Sequence, residues 1–384
     1  MMQSGKRRTV LGLAGIAMLC LLPLASAGMR ARPRQEAPQM AGEVFTNLQL
    51  LGGLPVDEFW DTMGMFAAAI GKDCVDCHAL EAVDNWDAFS IETPMIRTAR
   101  AMIQMVNAIN NNNFGGVGSV TCVTCHRGTS MPEIVPDLAL QYGVPPDLPN
   151  AMQIFPSPLS PAAEELFDRY IQALGGAERL SGITSIVAEG TYTGYETGHQ
   201  EVPLEMFVQA PNRRTTIVHG AMGDTVWVYN GSQGWITWPS FPVPVMSLTG
   251  GNLANAGLEA LLSFPAALQD AFNQWRVGIT IIDDEDVYVV QGTRAGELPV
   301  NFYFDDSGLL IRVVHWNRTA MGVVPTEIDF EDYGEVSGIQ MPLRWTVSWT
   351  TGQATTQLTD VQLNAPIDPA RFNRPTPTAQ AGVQ

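Results

Sequence analysis

The chain has 384 residues, 46% of them apolar, with 21 Lys+Arg against 39 Asp+Glu. That length suits about two domains of roughly 100–200 residues, and the apolar content excludes a disordered chain or a small stapled scaffold. A net charge of −18 excludes nucleic acid as a partner, because phosphate binding needs clustered Lys and Arg, whereas basic protein surfaces suit it.

Lys6, Arg7 and Arg8 precede an apolar run from Val10 to Leu24, and Ala25-Ser26-Ala27 follows as an A-x-A cleavage pattern. Residues 1–27 are therefore expected to be a secretory signal peptide and the protein periplasmic. An uncleaved anchor at the outer face of the inner membrane is the alternative. Removing residues 1–27 takes away three basic residues and no acids, which leaves a charge of −21. No second apolar run of that length follows, so a polytopic membrane protein is excluded.

Pro55 to Ile70 reads as a helix, with Pro at the first position, Asp57 and Glu58 in the first turn, and Gly71 at the end. Val56, Phe59, Met63, Phe66 and Ile70 form one apolar stripe, with Met63 at its centre. Met65 lies about 200° round the helix and is expected to face away. Cys74-Val75-Asp76-Cys77-His78 follows. A second helix is expected from Thr93-Pro94, with Met95, Ala99, Met102, Val106 and Ile109 on its stripe. Met102 is central and Met105 is the reserve. Asn110 to Asn113 are expected to stop this helix before Cys122-Val123-Thr124-Cys125-His126. The two units repeat over about 48 residues, from Cys74 to Cys122.

Cys20 leaves with the signal, and the two C-x-x-C-H motifs use every remaining cysteine. This is the attachment pattern of c-type haem. Two thiols one short turn apart form thioethers to the porphyrin, and the next residue, histidine, becomes the proximal iron ligand. Cys74, Cys77, Cys122 and Cys125 are thus expected to attach two haem c groups, with His78 and His126 proximal. Zinc ribbons place their pairs about 15–20 residues apart, much closer than Cys77 and Cys122 stand. A thioredoxin-like pair needs no following histidine, and two structural disulfides would leave both histidines unexplained. Met63 and Met102 are the candidate distal ligands; core filler is the alternative for Met63.

Residues 47–132 resemble the cytochrome c subunit of the photosynthetic reaction centre. The resemblance runs through Asn47-Leu48-Gln49-Leu50-Leu51, Val56-Asp57-Glu58-Phe59, Thr62-Met63 and Cys74 to His78, then Arg100-Ala101-Met102-Ile103-Gln104-Met105, Ile109-Asn110 and Val120 to Gly128. In that family each haem takes a distal Met from the preceding helix, and the matching positions are Met63 and Met102. The family carries four haem motifs and this chain has two, half of the array. The resemblance implies periplasmic electron transfer to redox partner proteins, a membrane-bound reaction centre or a respiratory complex among them. It implies an electron carrier and not an enzyme.

Prolines 145, 146, 149, 156, 158 and 161 mark a stiff linker over 144–160. A helix is expected from Ser160-Pro161 to Leu174, and then the apolar period becomes two. Eleven strands are expected: Ser185–Tyr195, Leu204–Gln209, Arg213–His219, Thr225–Tyr229, Gly234–Trp238, Val277–Ile282, Val287–Gly292, Val300–Phe304, Leu309–Trp316, Thr326–Tyr333 and Leu343–Trp349. A helix near Leu253–Phe272 interrupts them. The expected fold class is α+β: a small, mostly helical dihaem domain over 40–143, then a curved antiparallel half-barrel over 161–376 with helices on one face, and a tail over 377–384. Leu204 to Phe207, Ala210 to Arg214 and Tyr229-Asn230-Gly231 with Gly234-Trp235 loosely resemble the half-barrels of LolA-like periplasmic lipoprotein carriers. Trp227, Trp235, Trp238, Phe264 and Trp275 are the residues expected to line such a concavity around an apolar ligand, or else to form ordinary core. An apolar-ligand module in which haem reports redox state is the alternative function. His315, beside Trp316 in a strand, reads as packed, and Asp283 to Asp286 as a solvated turn.

Overall fold

From residue 185 onward the alternation of apolar and polar side chains becomes one antiparallel sheet of thirteen strands. The structure is a computed structural model that describes residues 37–143, 151–158, 160–239 and 241–377. The expected signal at 1–27, part of the expected linker and nearly all of the expected tail lie outside the described residues. The strands are β1 (Ser185–Gly194), β2 (Val202–Gln209), β3 (Arg213–Gly220), β4 (Gly223–Tyr229), β5 (Gly234–Thr237) and β6 (Met246–Ser247). They continue with β7 (Gln274–Ile282), β8 (Glu285–Thr293), β9 (Val300–Phe304), β10 (Leu310–Thr319), β11 (Gly322–Val336), β12 (Ile339–Trp349) and β13 (Gly352–Leu363). Two meanders, β1 to β6 and β7 to β13, join where β1 pairs with β13, leaving β6 and β7 as the ends of an open, curved sheet. Bulges in β1 at Glu189/Gly190 and in β10 at Leu310/Arg312 add local bend and twist.

Nine helical segments accompany the sheet among the described residues: α1 (Ala41–Val44), α2 (Val56–Ile70), α3 (Cys74–Cys77), α4 (Pro94–Asn113), α5 (Cys122–His126), α6 (Leu138–Tyr142), α7 (Ala163–Ala173), α8 (Ala177–Ser181) and α9 (Gly250–Leu262). This is the expected α+β class, with a half-barrel-like sheet. Leu166, Phe167 and Tyr170 of α7 bury against Val290, Phe302, Phe304 and Val313 of the sheet. The Phe167 ring meets that of Phe304 edge-on, with centroids 5.7 Å apart. Each such side chain contributes roughly 1.5–3 kcal/mol of transfer free energy.

The N-terminal helices dock on the same sheet. Met65 of α2 is 2% exposed and packs with Ile103 and Val106 of α4 and with Met321 and Val324 at the β10–β11 hairpin. Gly64 lies against the β12–β13 turn, where a Cβ would overlap Thr350 Oγ1. A second seam is aromatic: Trp60 and Trp86 enclose Phe241, with centroids 5.2 Å from it, and Phe241 stacks on Trp238. A third seam is polar. Asp57 Oδ2 accepts from the Thr249 N–H at 2.6 Å at the start of α9, and Asp61 Oδ2 accepts from Asn252 Nδ2 at 2.8 Å and Asn317 Nδ2 at 3.3 Å. Burial pushes the Asp61 carboxyl up to about 6.

As expected for α2, Met63, Phe66 and Ile70 line a cavity and Met65 faces away from it, buried with Thr62 and Ala69 where β10 and β11 take that side. The structure corrects several other expectations. The asparagine run does not stop α4: the helix continues through Asn113, and the buried Asn110 side chain grips both the Val120 C=O (2.8 Å) and N–H (2.9 Å). Residues 253–272 give one helix to Leu262 and then short 3-10 turns, since Pro265 cannot continue a helix hydrogen-bond ladder. Strand β13 was not among the expected strands, yet it joins the two meanders. Of the expected cavity aromatics, Trp235, Phe264 and Trp275 pack elsewhere in the core, while Trp227 and Trp238 line the cavity.

Two predictions follow from this packing. Gly64→Leu should overpack the α2–turn contact and destabilise the protein by about 1–3 kcal/mol, read as a lower Tm; an unchanged Tm would contradict the contact. His315 of β10 is 2% exposed, and burial pushes its pKa down to about 4 from 6.5. The unfolded chain takes the proton below about 6.5 and the folded chain does not, so stability is lost as pH falls toward 4. Urea unfolding should show wild type losing about 3 kcal/mol more than His315→Leu between pH 7 and pH 4. Equal losses would contradict burial of the neutral ring.

Candidate functional site

Each C-x-x-C-H motif starts as a capped turn. Asp73 accepts from the Val75 N–H (3.0 Å) and the Asp76 N–H (3.2 Å), while Asp76 accepts from the Asp73 N–H. Thr121 and Thr124 form the matching box at α5. The first motif leaves its helix at His78, whereas the second keeps His126 in the helix and turns at Arg127 and Gly128 with positive φ. Thr93 ties the first motif to α4: its hydroxyl donates to the Cys77 C=O at 2.6 Å and accepts from the Ile96 N–H at 3.1 Å. The second motif rests on the end of α2, where the Gly128 N–H donates to the Ala69 C=O at 2.9 Å. Gly71, with φ 63°, stands there against Gly128, and no side chain would fit. The two units therefore cross-brace each other.

Both histidines are oriented alike. His78 Nδ1 lies 3.0 Å from the Phe89 carbonyl oxygen, and His126 Nδ1 lies 3.1 Å from the Thr129 carbonyl oxygen. A carbonyl only accepts, so each Nδ1 carries the proton and each Nε2 keeps a lone pair. This is the tautomer that an iron-ligating imidazole needs. Partial burial pushes His78 down, which favours its neutral form. The Phe89 ring packs edge-on against His78, with centroids 4.9 Å apart.

Among the described residues none of Cys74, Cys77, Cys122 and Cys125 is in a disulfide. Desolvation, with Asp73 adding to it, pushes Cys74 up; desolvation also raises Cys77 and Cys122. The turns do not converge as a zinc site would: among the described residues no three His, Cys, Asp or Glu side chains cluster closely enough to hold a bare ion.

Met63, Cys74, Cys77, His78, Met102, Cys122 and His126 all line one cavity of about 860 Å³, together with Phe66, Ile70, Met95 and Ala99. Cys125 is exposed and is not on that lining. Met102 is 36% exposed and Met105 44%, and Met105 does not reach the cavity. Thioether, imidazole and three of the four thiol side chains thus share one mostly apolar lining, a donor set that fits c-type haem. The cavity continues over the concave face of the sheet, past Trp227, Phe330, Trp345 and Trp349 to His315. Sequence reading missed this role of Asn110, which holds the Val120 backbone just ahead of Cys122; its signal was that, of the four asparagines in the run, it is the one spaced four residues after Val106 on the inward side.

Among the described residues no helix is long and apolar enough to cross a membrane. None of the curated proteins matches the sequence. The sheet region is similar in outline to a DUF1329 family protein from Desulfovibrio piger (10% identity, TM-score 0.38, 56% of this chain and 98% of that one). A LolA superfamily protein from Nitrosomonas europaea gives 13% identity and a TM-score of 0.37 over 56% of this chain and 99% of that one. The lipoprotein LppX of Mycobacterium tuberculosis gives 11% and 0.23 over 54% and 99%. Residues 243–360 match a family model of unknown function, DUF6544. Residues 23–139, which carry both C-x-x-C-H motifs and both candidate methionines, match the family model described as photosynthetic reaction centre cytochrome C subunit.

Proposed function

We propose that the protein is an exported dihaem c-type cytochrome that carries electrons in the periplasm. The observation that carries this reading is the pair of Nδ1-anchored histidines, each following a cysteine pair outside any disulfide, on a cavity shared with Met63 and Met102. Cys74 and Cys77 would hold one haem c and Cys122 and Cys125 the other. His78 and His126 would ligate through Nε2, and Met63 and Met102 would be the distal ligands. When bound, the haems supply one-electron exchange at iron. The protein fixes the tautomers through Phe89 and Thr129, and excludes water with Phe66, Ile70 and Met95. Leu80, Val83, Met131 and Ile134 are exposed apolar side chains in the same region, and a redox partner would cover them. A membrane-bound reaction centre is the partner class that the family match to residues 23–139 supports, and a respiratory complex is the alternative.

A second reading concerns the sheet. The cavity reaches the concave face, and its aromatic lining suits an apolar ligand.

Matured protein should give two haems per chain in a pyridine haemochrome assay. Met63→Ala and Met102→Ala should each remove one methionine–iron charge-transfer signature and lower one reduction potential. Signatures and potentials unchanged in both variants would overturn these ligands, and absence of covalent haem would overturn the reading.

A further inference from the structure

We propose that the concave face of the sheet binds an apolar molecule carrying a carbonyl oxygen, and that this oxygen accepts a hydrogen bond from the His315 ring. The proposal deepens the second reading above and rests on it.

His315 is the polar anomaly of this lining. Neither Nδ1 nor Nε2 has a hydrogen-bond partner within the described protein, and the residue is 2% exposed. Its neighbours along β10 on the same face are accounted for. Val313 is fully buried in the main core. Asn317 donates to Asp61 and Asn252 and accepts from Asn255. Across the ladder His315 faces Val300 of β9 and Thr326 of β11. Val300 offers its side chain no polar partner, and the Thr326 hydroxyl makes no hydrogen bond to it. A buried polar group left unpaired is destabilising, and native structures rarely keep one without a purpose. Here His315 stands on the lining of the concave-face part of the cavity that the C-x-x-C-H motifs also line.

The chemistry of the ring selects the head group. Burial holds the imidazole neutral over the ordinary pH range. It therefore offers one N–H donor and one lone pair, and no charge to attract an anion. The Arg214 cation on this lining already faces Glu259 at 3.9 Å. A neutral oxygen is the complement, and a carbonyl accepts directly from the N–H. Much of the neighbouring lining is apolar and flat: Ile328, Phe330, Trp345, Val347 and Trp349. A quinone ring and a fatty-acyl ester both present such a carbonyl on an apolar body.

The test uses the full-length, haem-loaded protein in equilibrium dialysis against radiolabelled decylubiquinone, methyl palmitate or hexadecane. Wild type should bind a carbonyl probe about tenfold more tightly than His315→Leu, the worth of about one net hydrogen bond. Hexadecane, which has no oxygen, should bind both proteins alike. His315→Gln, which keeps an N–H donor, should retain most of the carbonyl affinity and so controls for folding. In the reduced protein the probe should also shift the ¹⁵N resonances of the His315 ring, a readout independent of any variant. Preference for decylubiquinone over methyl palmitate identifies a quinone as the source, and the reverse identifies an acyl lipid. Equal binding of all three probes by wild type and His315→Leu overturns the role of His315 while leaving the cavity a binding site. No binding of any probe by wild type overturns the cavity reading and the proposal with it.

Discussion

The docking of α2 on the sheet is the constraint on which the rest depends. One side of this helix is committed to the sheet through Gly64 and Met65, and to the start of α9 through the Asp57–Thr249 bonds. That commitment turns Met63, Phe66 and Ile70 toward the cavity. The same helix end receives the second C-x-x-C-H turn through Ala69 and Gly128, so the position of His126 is set by α2 as well. A 15-residue helix alone would be marginal in water, and its order comes from these contacts.

A consequence is that the two halves share one cavity. The β-sheet is a platform for the N-terminal helices through an apolar seam, an aromatic seam around Phe241 and a polar seam at Asn252 and Asn317. The buried carboxylates of the polar seam are hydrogen-bonded, as buried charge requires. His315, on the same strand as Asn317, has no such partner among the described residues.

Much of this was legible in the sequence because the relevant signals are local. The C-x-x-C-H spacing, the Thr93 cap and the period-two runs are short-range patterns, and helices α2, α4, α7 and α9 and eleven of the strands overlap where those patterns stand. What was not legible depends on long-range packing. Strand β13 is rich in Thr and Gln, and only its place between β1 and β12 makes Ala354, Thr356 and Leu358 inward residues. The apolar stripe of α2 pointed to the cavity and not to the sheet, because a helix with two apolar faces does not reveal which one meets protein. The Asn110 clamp needed knowledge that Val120 lies beside it. Trp345 and Trp349 became cavity residues only through the curvature of the sheet.

Intact-mass spectrometry of protein matured in a haem-attachment-competent host tests the central claim most directly. The account predicts a mass increased by two haems that survives denaturation, and by one haem when Cys74 and Cys77 are replaced by alanine. A wild-type mass equal to that of the polypeptide alone would contradict it.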